Sequence, residues 1–240
     1  MKVLRTNTGP YPVRLTFTVG EIDDMCVEAL RSAGCLPDSP SAIRIDRFIE
    51  KHFTQDVGYE DLAPGFLGYS LFRKDGSVEC VRVSSKLEEE GSVSNERRLR
   101  STWAHEAGHC LLHPMLFMED ASQGSFGQLQ AQAKNQDRRI LCRSGDVLPV
   151  TIGCQKRYDG RWWEWQANRA IGGFLLPRAL VAKAIEPFSM PALITGMPSL
   201  PPVARCKAER ELAELFDVNP VVVKIRLSEL FPDQKGQIEF

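Results

Sequence analysis

No apolar run in this 240-residue chain approaches the roughly 18–20 residues that span a bilayer, so no membrane partner is expected. Charge of one sign is missing too. Lys+Arg 30 against Asp+Glu 31 leaves a formal net charge of −1, and nothing global pulls the chain toward nucleic acid or an anionic surface. Cysteine is sparse and odd in number: seven, scattered through a chain long enough to need no covalent staples. The first twenty residues hold no hydrophobic signal segment, because Lys2, Arg5, Pro10, Pro12 and Arg14 interrupt them. These absences make a reducing cytoplasm the expected setting. Internal repeats are lacking as well. What is present is an ordinary globular mixture, 43% hydrophobic and 25% charged, with enough apolar residue to bury a core.

The patterning divides the chain. Residues 1–19 read as a loose N-terminal tail, and residues 20–186 as the main domain, with an insertion at about 117–160. Residues 187–203 read as a Pro-rich connector and 204–240 as a helical subdomain. Ile22, Met25, Cys26, Ala29, Leu30 and Ala33 recur at helical spacing, predicting a helix over Gly20–Leu36 with Gly34 as its stop. Ser39-Pro40-Ser41 reads as the start of a second helix through Phe53. Two alternating runs, Gly68–Phe72 and Val78–Val83, flank Lys74-Asp75-Gly76 and read as a β-hairpin. A polar stretch, Lys86–Glu96, leads into a helix over Arg97–His113 that Pro114 ends. Ala121–Asp137, rich in Ser and Gln, reads as a mobile, lid-like insertion. Further helices are predicted over Arg161–Leu175, Arg178–Ile185, Ala204–Phe216 and from Asn219-Pro220 to Leu230.

One motif carries chemistry. Residues 105–109 read His-Glu-Ala-Gly-His inside a predicted helix, and three of the chain's four histidines fall within nine residues. Positions i and i+4 share a helical face, so His105 and His109 can offer ring nitrogens to one ion at about 2.0–2.1 Å. Glu106 flanks that ion and can take a proton from water activated there. The opposing reading is an exposed polar face that happens to spell this pattern. Trp103, Ala104, Ala107, Leu111 and Leu112 speak against it, because they suit a half-buried helix whose His and Glu need partners or a metal.

Two histidines do not hold a catalytic zinc; a third protein ligand is expected. His113 lies about 12 Å along the helix axis from His105, at 1.5 Å per residue, too far for the same ion. It reads as a helix-terminal or supporting residue behind the ligands. Glu164, in Trp163-Glu-Trp-Gln-Ala-Asn168, is the better candidate, and spacing alone leaves it open between ligand and exposed carboxylate. Asn168, four residues on, can hydrogen-bond the far nitrogen of a ligating histidine. Small residues on both segments (Ala104, Ala107 and Gly108; Ala167, Ala170, Gly172 and Gly173) would let the two helices approach closely.

These segments resemble the ImmA/IrrE family of zinc metallopeptidases. The resemblance covers roughly residues 40–231. It rests on Arg100-Ser-Thr-Trp-Ala-His-Glu-Ala-Gly-His109 with Leu112-His113, and on Glu164-Trp-Gln-Ala-Asn-Arg-Ala-Ile-Gly-Gly-Phe-Leu-Leu-Pro177. Leu212–Asn219 with Arg226-Leu227 and Leu230 is similar to the family's helix-turn-helix-like end. It implies an α+β zincin-like fold with a small antiparallel sheet, an active-site helix and a C-terminal helix-turn-helix-like subdomain. It further implies Zn2+ at His105, His109 and Glu164, Glu106 as general base, and a helix-turn-helix repressor as protein substrate. The chain departs from the family in a longer stretch between His113 and Glu164 and in Gly172-Gly173 where an Ala-rich pair is usual.

Other features are weighed by the same chemistry. Cys142 or Cys154 could supply a fourth, silencing thiolate, although plain thiols are the default reading; Cys110 reads as packing. Trp162, Trp163 and Trp165 read as packing anchors before a substrate-gripping wall. Arg157, Tyr158 and Arg161 are candidates to stabilise a tetrahedral oxyanion, and the sequence singles out none of them. Residues 201–240 carry six Lys/Arg against seven Asp/Glu, a poor balance for phosphate, so the C-terminal helices are expected to dock protein and direct DNA binding is disfavoured. Two rival readings remain. One is a regulatory protein binding a repressor or DNA through Ala204–Leu230 without catalysis. The other is a metal-dependent hydrolase of non-peptide substrates.

Overall fold

The computed structural model describes residues 2–5, 10–11, 13–89, 91–118, 138–145, 161–191 and 198–232. The chain opens not with a loose tail but with an antiparallel pair, β1 (Lys2–Arg5) and β2 (Val13–Thr16). Val13, Leu15 and Phe17 are buried while Arg14 and Thr16 are only half-buried, a period-two pattern that Pro10 and Pro12 obscure in the sequence. Thr18 then caps α1 (Val19–Ser32). Its Oγ1 accepts from the Glu21 N–H at 3.2 Å, and its own N–H donates to Glu21 Oε2 at 2.8 Å. This capping box sets the start one residue before the expected Gly20, and α1 ends four residues short of Leu36.

The second helix, α2 (Ile45–His52), begins later than Ser39-Pro40-Ser41 suggests. Ile43 and Ile45 are both buried across a tight turn at Arg44, closed by the Ile45 N–H on the Ile43 carbonyl at 3.0 Å, and Arg100 Nη2 donates to the same carbonyl at 2.7 Å. Tertiary burial overrides the local capping signal here.

The predicted hairpin is present as β4 (Phe66–Phe72) and β5 (Val78–Ser84), after β3 (Val57–Glu60). Gly76 in the turn has φ +81, a conformation that glycine adopts without penalty. The sheet is not wholly antiparallel, however: β3 runs parallel to β5. Its order is β3-β5-β4-β6, where β6 (Arg139–Arg143) pairs antiparallel with β4. Thus β6 lies inside the expected insertion yet belongs to the sheet. Ile140 and Cys142 are its buried positions. The stretch Ala121–Asp137, expected to be lid-like, lies outside the described residues.

The polar stretch contains a short α3 (Lys86–Glu89), and α4 (Val93–Leu112) begins four residues before the expected Arg97, capped by Ser92 Oγ. α5 (Trp162–Leu175) and α6 (Arg178–Ile185) follow the sequence reading closely. The Pro-rich connector holds a two-residue pair, β7 (Met190–Pro191) with β8 (Pro198–Ser199). It runs directly into α7 (Pro202–Phe216), followed by α8 (Pro220–Leu230).

The C-terminal helix pair, expected as a subdomain of its own, shares the main core. Leu212, Phe216, Val223 and Leu227 belong to one apolar cluster with Ile22, Trp103 and Phe174. Charge ties the same joint. Arg226 is 1% exposed; its Nε donates to the Leu176 carbonyl at 3.0 Å and its Nη1 lies 3.0 Å from Asp23 Oδ1 on α1. Gly172 leaves room for it, since a Cβ there would stand 3.3 Å from Arg226 Cδ. Gly173 meets Cys26 and Asp23. The glycine pair therefore admits α1 and α8 rather than α4, which corrects the sequence reading. Among the described residues, no helix is long and apolar enough to cross a membrane.

Candidate metal centre

The long helix α4 is buried along most of its second half, and α5 packs across it. The approach is close because of Gly108. A Cβ there would fall 2.9 Å from Ala170 Cβ and 3.0 Å from Ala167 Cα. Of the small residues predicted to line this joint, Gly108, Ala167 and Ala170 do so. The contact brings Glu164, in the first turn of α5, over the two histidines of α4.

His105, His109 and Glu164 are all buried, and their donor atoms lie within 4.8 Å of one another, a group able to hold a metal ion. The two Nε2 atoms are 3.0 Å apart, and Glu164 Oε2 stands 3.1 Å from His105 Nε2 and 3.6 Å from His109 Nε2. Donors about 2.0–2.1 Å from one tetrahedral ion sit about 3.3–3.4 Å apart, and these separations bracket that spacing. The donor set also fits by its chemistry. Two ring nitrogens and a carboxylate aimed at one dry point are all acceptors when deprotonated, and such a cluster can hold a cation. Burial pushes the Glu164 carboxyl up, but the imidazoles of His109 and His105 outweigh it and hold it well below the usual carboxylate range.

Further polar side chains touch the two histidines. Asn168 Oδ1 lies 3.1 Å from His105 Nδ1, the contact that its spacing from Glu164 predicts. His113, the residue that ends α4, sits behind His109 with 3.0 Å between their Nδ1 atoms; its Nε2 is 3.0 Å from Gln166 Oε1. Burial pushes the His113 imidazole down to about 3, so it stays neutral. Gln166 in turn donates from Nε2 to the Leu15 carbonyl of β2 at 2.7 Å.

Glu106 faces the sheet. Ser70 Oγ donates to its Oε2 at 2.6 Å, and Gly68 makes room for it: a Cβ at position 68 would lie 3.0 Å from Glu106 Oε1. Burial pushes the Glu106 carboxyl up to about 8, with His105 and Ser70 pulling the other way. Protein stripped of metal by a chelator should therefore show a pH-dependent stability. Between the ordinary 4.5 and about 8, the folded state keeps a proton that the unfolded chain has lost. Stability from this group is full below 4.5 and is lost as pH rises through the window. Urea midpoints across pH 4–9 should fall more steeply for wild type than for Glu106→Gln; parallel profiles would contradict the assignment.

The remaining expectations divide. Cys142 is buried on β6 beside Glu106 and is not part of the converging ligand group. Cys110 packs, with its Sγ 3.5 Å from Ser70 Oγ. Trp162 is buried edge-on to His113 at 5.6 Å, whereas Trp165 is partly exposed with Arg169 over its ring. Cys154, Arg157 and Tyr158 lie outside the described residues, and Arg161 is the residue preceding α5. Sequence reasoning missed Ser70, Gly68, Gln166 and Tyr11. Tyr11 stacks edge-on against Trp162 and Trp163, and burial together with the nearby Glu164 carboxylate raises its phenol well above the usual range. A Ser-Gly alternation on β4 and a Gln two residues after Glu164 were the available signals, and neither is specific.

Comparison of the chain with protein-family models finds no match, and comparison with curated proteins finds none.

The helix joint yields a direct prediction. Gly108→Ala inserts a methyl where backbone and Cβ atoms already stand within about 3 Å. Overpacking of this kind costs about 1–3 kcal/mol. Because α4 carries two of the converging donors and α5 the third, prising them apart should also weaken the group's hold on a metal ion. Thermal unfolding with and without added Zn2+ measures both effects; unchanged affinity would show that the joint does not set the site.

Proposed function

We propose that the chain is a zinc-dependent peptidase that cleaves a protein, with a helix-turn-helix repressor as the substrate. The observation that carries this reading is the buried convergence of His105, His109 and Glu164, with the Glu106 carboxylate one residue along the same helix. Zinc held there would supply a Lewis acid for the scissile carbonyl and for water. Glu106 takes the proton of the attacking water and returns it to the leaving amine. Ser70 orients that carboxylate through its 2.6 Å hydrogen bond, and Gly68 keeps the space beside it open. Asn168 orients the His105 ring. The dry surroundings of Glu106 favour proton uptake, which suits a group that must act as a base and then as an acid.

The repressor substrate comes from the sequence resemblance alone. On the C-terminal helices, Arg226 is turned into the core, so one of the cations counted there is withheld from phosphate. This favours a protein-docking role for that end over a DNA-binding one.

Removal of the metal tests the reading. The protein is incubated with a helix-turn-helix repressor from the same genome as candidate substrate, and the products are read by intact mass. Cleavage at one bond should stop after chelation and return with stoichiometric Zn2+. A protein that binds no Zn2+, or whose chelation changes nothing, would refute a metallopeptidase.

A further inference from the structure

We propose that Gln166, acting through His113, holds His109 in the tautomer with its proton on Nδ1 and its Nε2 lone pair facing the ligand cluster. Gln166 is a positioning residue, and it anchors the site to the N-terminal strand. The proposal rests on the metal reading only for its affinity readout.

At the far end of the chain of contacts the direction of donation is fixed. The Leu15 carbonyl can only accept. Gln166 Nε2, at 2.7 Å, is therefore the donor, and the amide is oriented with Oε1 away from β2. That oxygen can only accept as well, so His113, at 3.0 Å, must present an N–H from Nε2. His113 is wholly buried, with Trp162 edge-on to its ring, and a neutral imidazole has one N–H. Its Nδ1 is consequently bare and faces His109 Nδ1 at 3.0 Å. Two bare nitrogens do not attract, so the proton between them belongs to His109 Nδ1. His109 Nε2 is then left with its lone pair toward Glu164 and His105, which is the form a metal needs.

The polarity of these contacts is set by a backbone oxygen that cannot reverse. His105 has a simpler arrangement, one amide oxygen on its Nδ1. His109 depends instead on three links that end on β2, the segment that Val13, Leu15 and Phe17 fix in the core. The N-terminal strand thus helps to prepare a ligand that lies more than ninety residues away.

Two variants and one measurement on the native protein test this. Gln166→Leu removes the acceptor and frees His113 to turn its proton toward His109; Zn2+ affinity in competition with a chromophoric chelator should fall about 10–100-fold. Gln166→Glu keeps an oxygen toward His113 and, when protonated, an O–H donor for the Leu15 carbonyl, and should bind Zn2+ more tightly than Gln166→Leu. A purely structural role for Gln166 would lower the unfolding temperature of metal-stripped protein without this split. Imidazole nitrogen-15 shifts of metal-stripped wild type should place a proton on His109 Nδ1, whether or not its Nε2 shares a second proton with His105 and Glu164, and this reading holds even where Gln166→Leu fails to fold. A His109 Nδ1 without a proton, or a folded Gln166→Leu with wild-type Zn2+ affinity, overturns the proposal. Wild type that shows the expected tautomer but binds no Zn2+ refutes the metal reading and leaves the tautomer assignment standing.

Discussion

Glu106→Gln should keep its Zn2+ and lose cleavage by about 10²–10⁴-fold, the range that general acid–base catalysis supplies. The substitution is nearly isosteric. The amide still fits beside Gly68 and can still accept from Ser70, so the helix and its two histidines keep their places. What disappears is the lone pair that removes the proton of the attacking water. Metal content measured by mass spectrometry, with initial rates from intact-mass time courses, separates the two quantities. Cleavage within tenfold of wild type would show that Glu106 is not the base. Metal lost along with activity would point to a structural part for Glu106 in the site. The same variant distinguishes the non-catalytic reading, in which biological activity through the C-terminal helices would survive unchanged.

Asp23→Ala should destabilise the fold by about 3–5 kcal/mol, the cost of leaving a buried charge without its partner. Asp23 on α1 pairs at 3.0 Å with Arg226 on α8 and at 3.0 Å with Arg178 on α6. Arg226 is already under-satisfied, because its Nη2 is buried with no hydrogen-bond partner among the described residues. Removing Asp23 leaves the guanidinium to the Leu176 carbonyl and to Glu229, 3.4 Å away. Urea denaturation should show a lower midpoint at unchanged slope. The double variant Asp23→Ala/Arg226→Met should recover much of the loss, since it removes both charges and keeps apolar volume beside Gly172. Equal losses in the single and double variants would mean that the pair contributes packing and no charge coupling. The experiment also reports on architecture: a single cooperative transition accords with one core that includes α7 and α8.

How much of this was legible in the residues depends on the distance over which each feature is decided. His105, Glu106 and His109 are readable because one helical turn brings them together, and only four intervals of sequence are involved. The bounds of α5 and α6 are readable for the same reason, with Pro177 between them. The hairpin of β4 and β5 announces itself through Asp75-Gly76. By contrast, β2, β3 and β6 are four or five residues long, and each is a strand only because of a partner elsewhere in the chain. Such segments carry too little period-two signal to outweigh flanking Pro or Ser-rich composition.

The amino-acid order alone determined the α+β class, the two imidazoles and the carboxylate between them. Their spacing is a property of any α-helix, and no distant contact is needed to produce it. Only the tertiary structure decided that Glu164 faces those rings, that Gly108 rather than Gly172 lets the helices close, and that a carbonyl on β2 reaches His109 through Gln166 and His113. Those outcomes depend on how separate elements dock, and docking is set by the shape and polarity of buried surfaces that lie far apart along the chain.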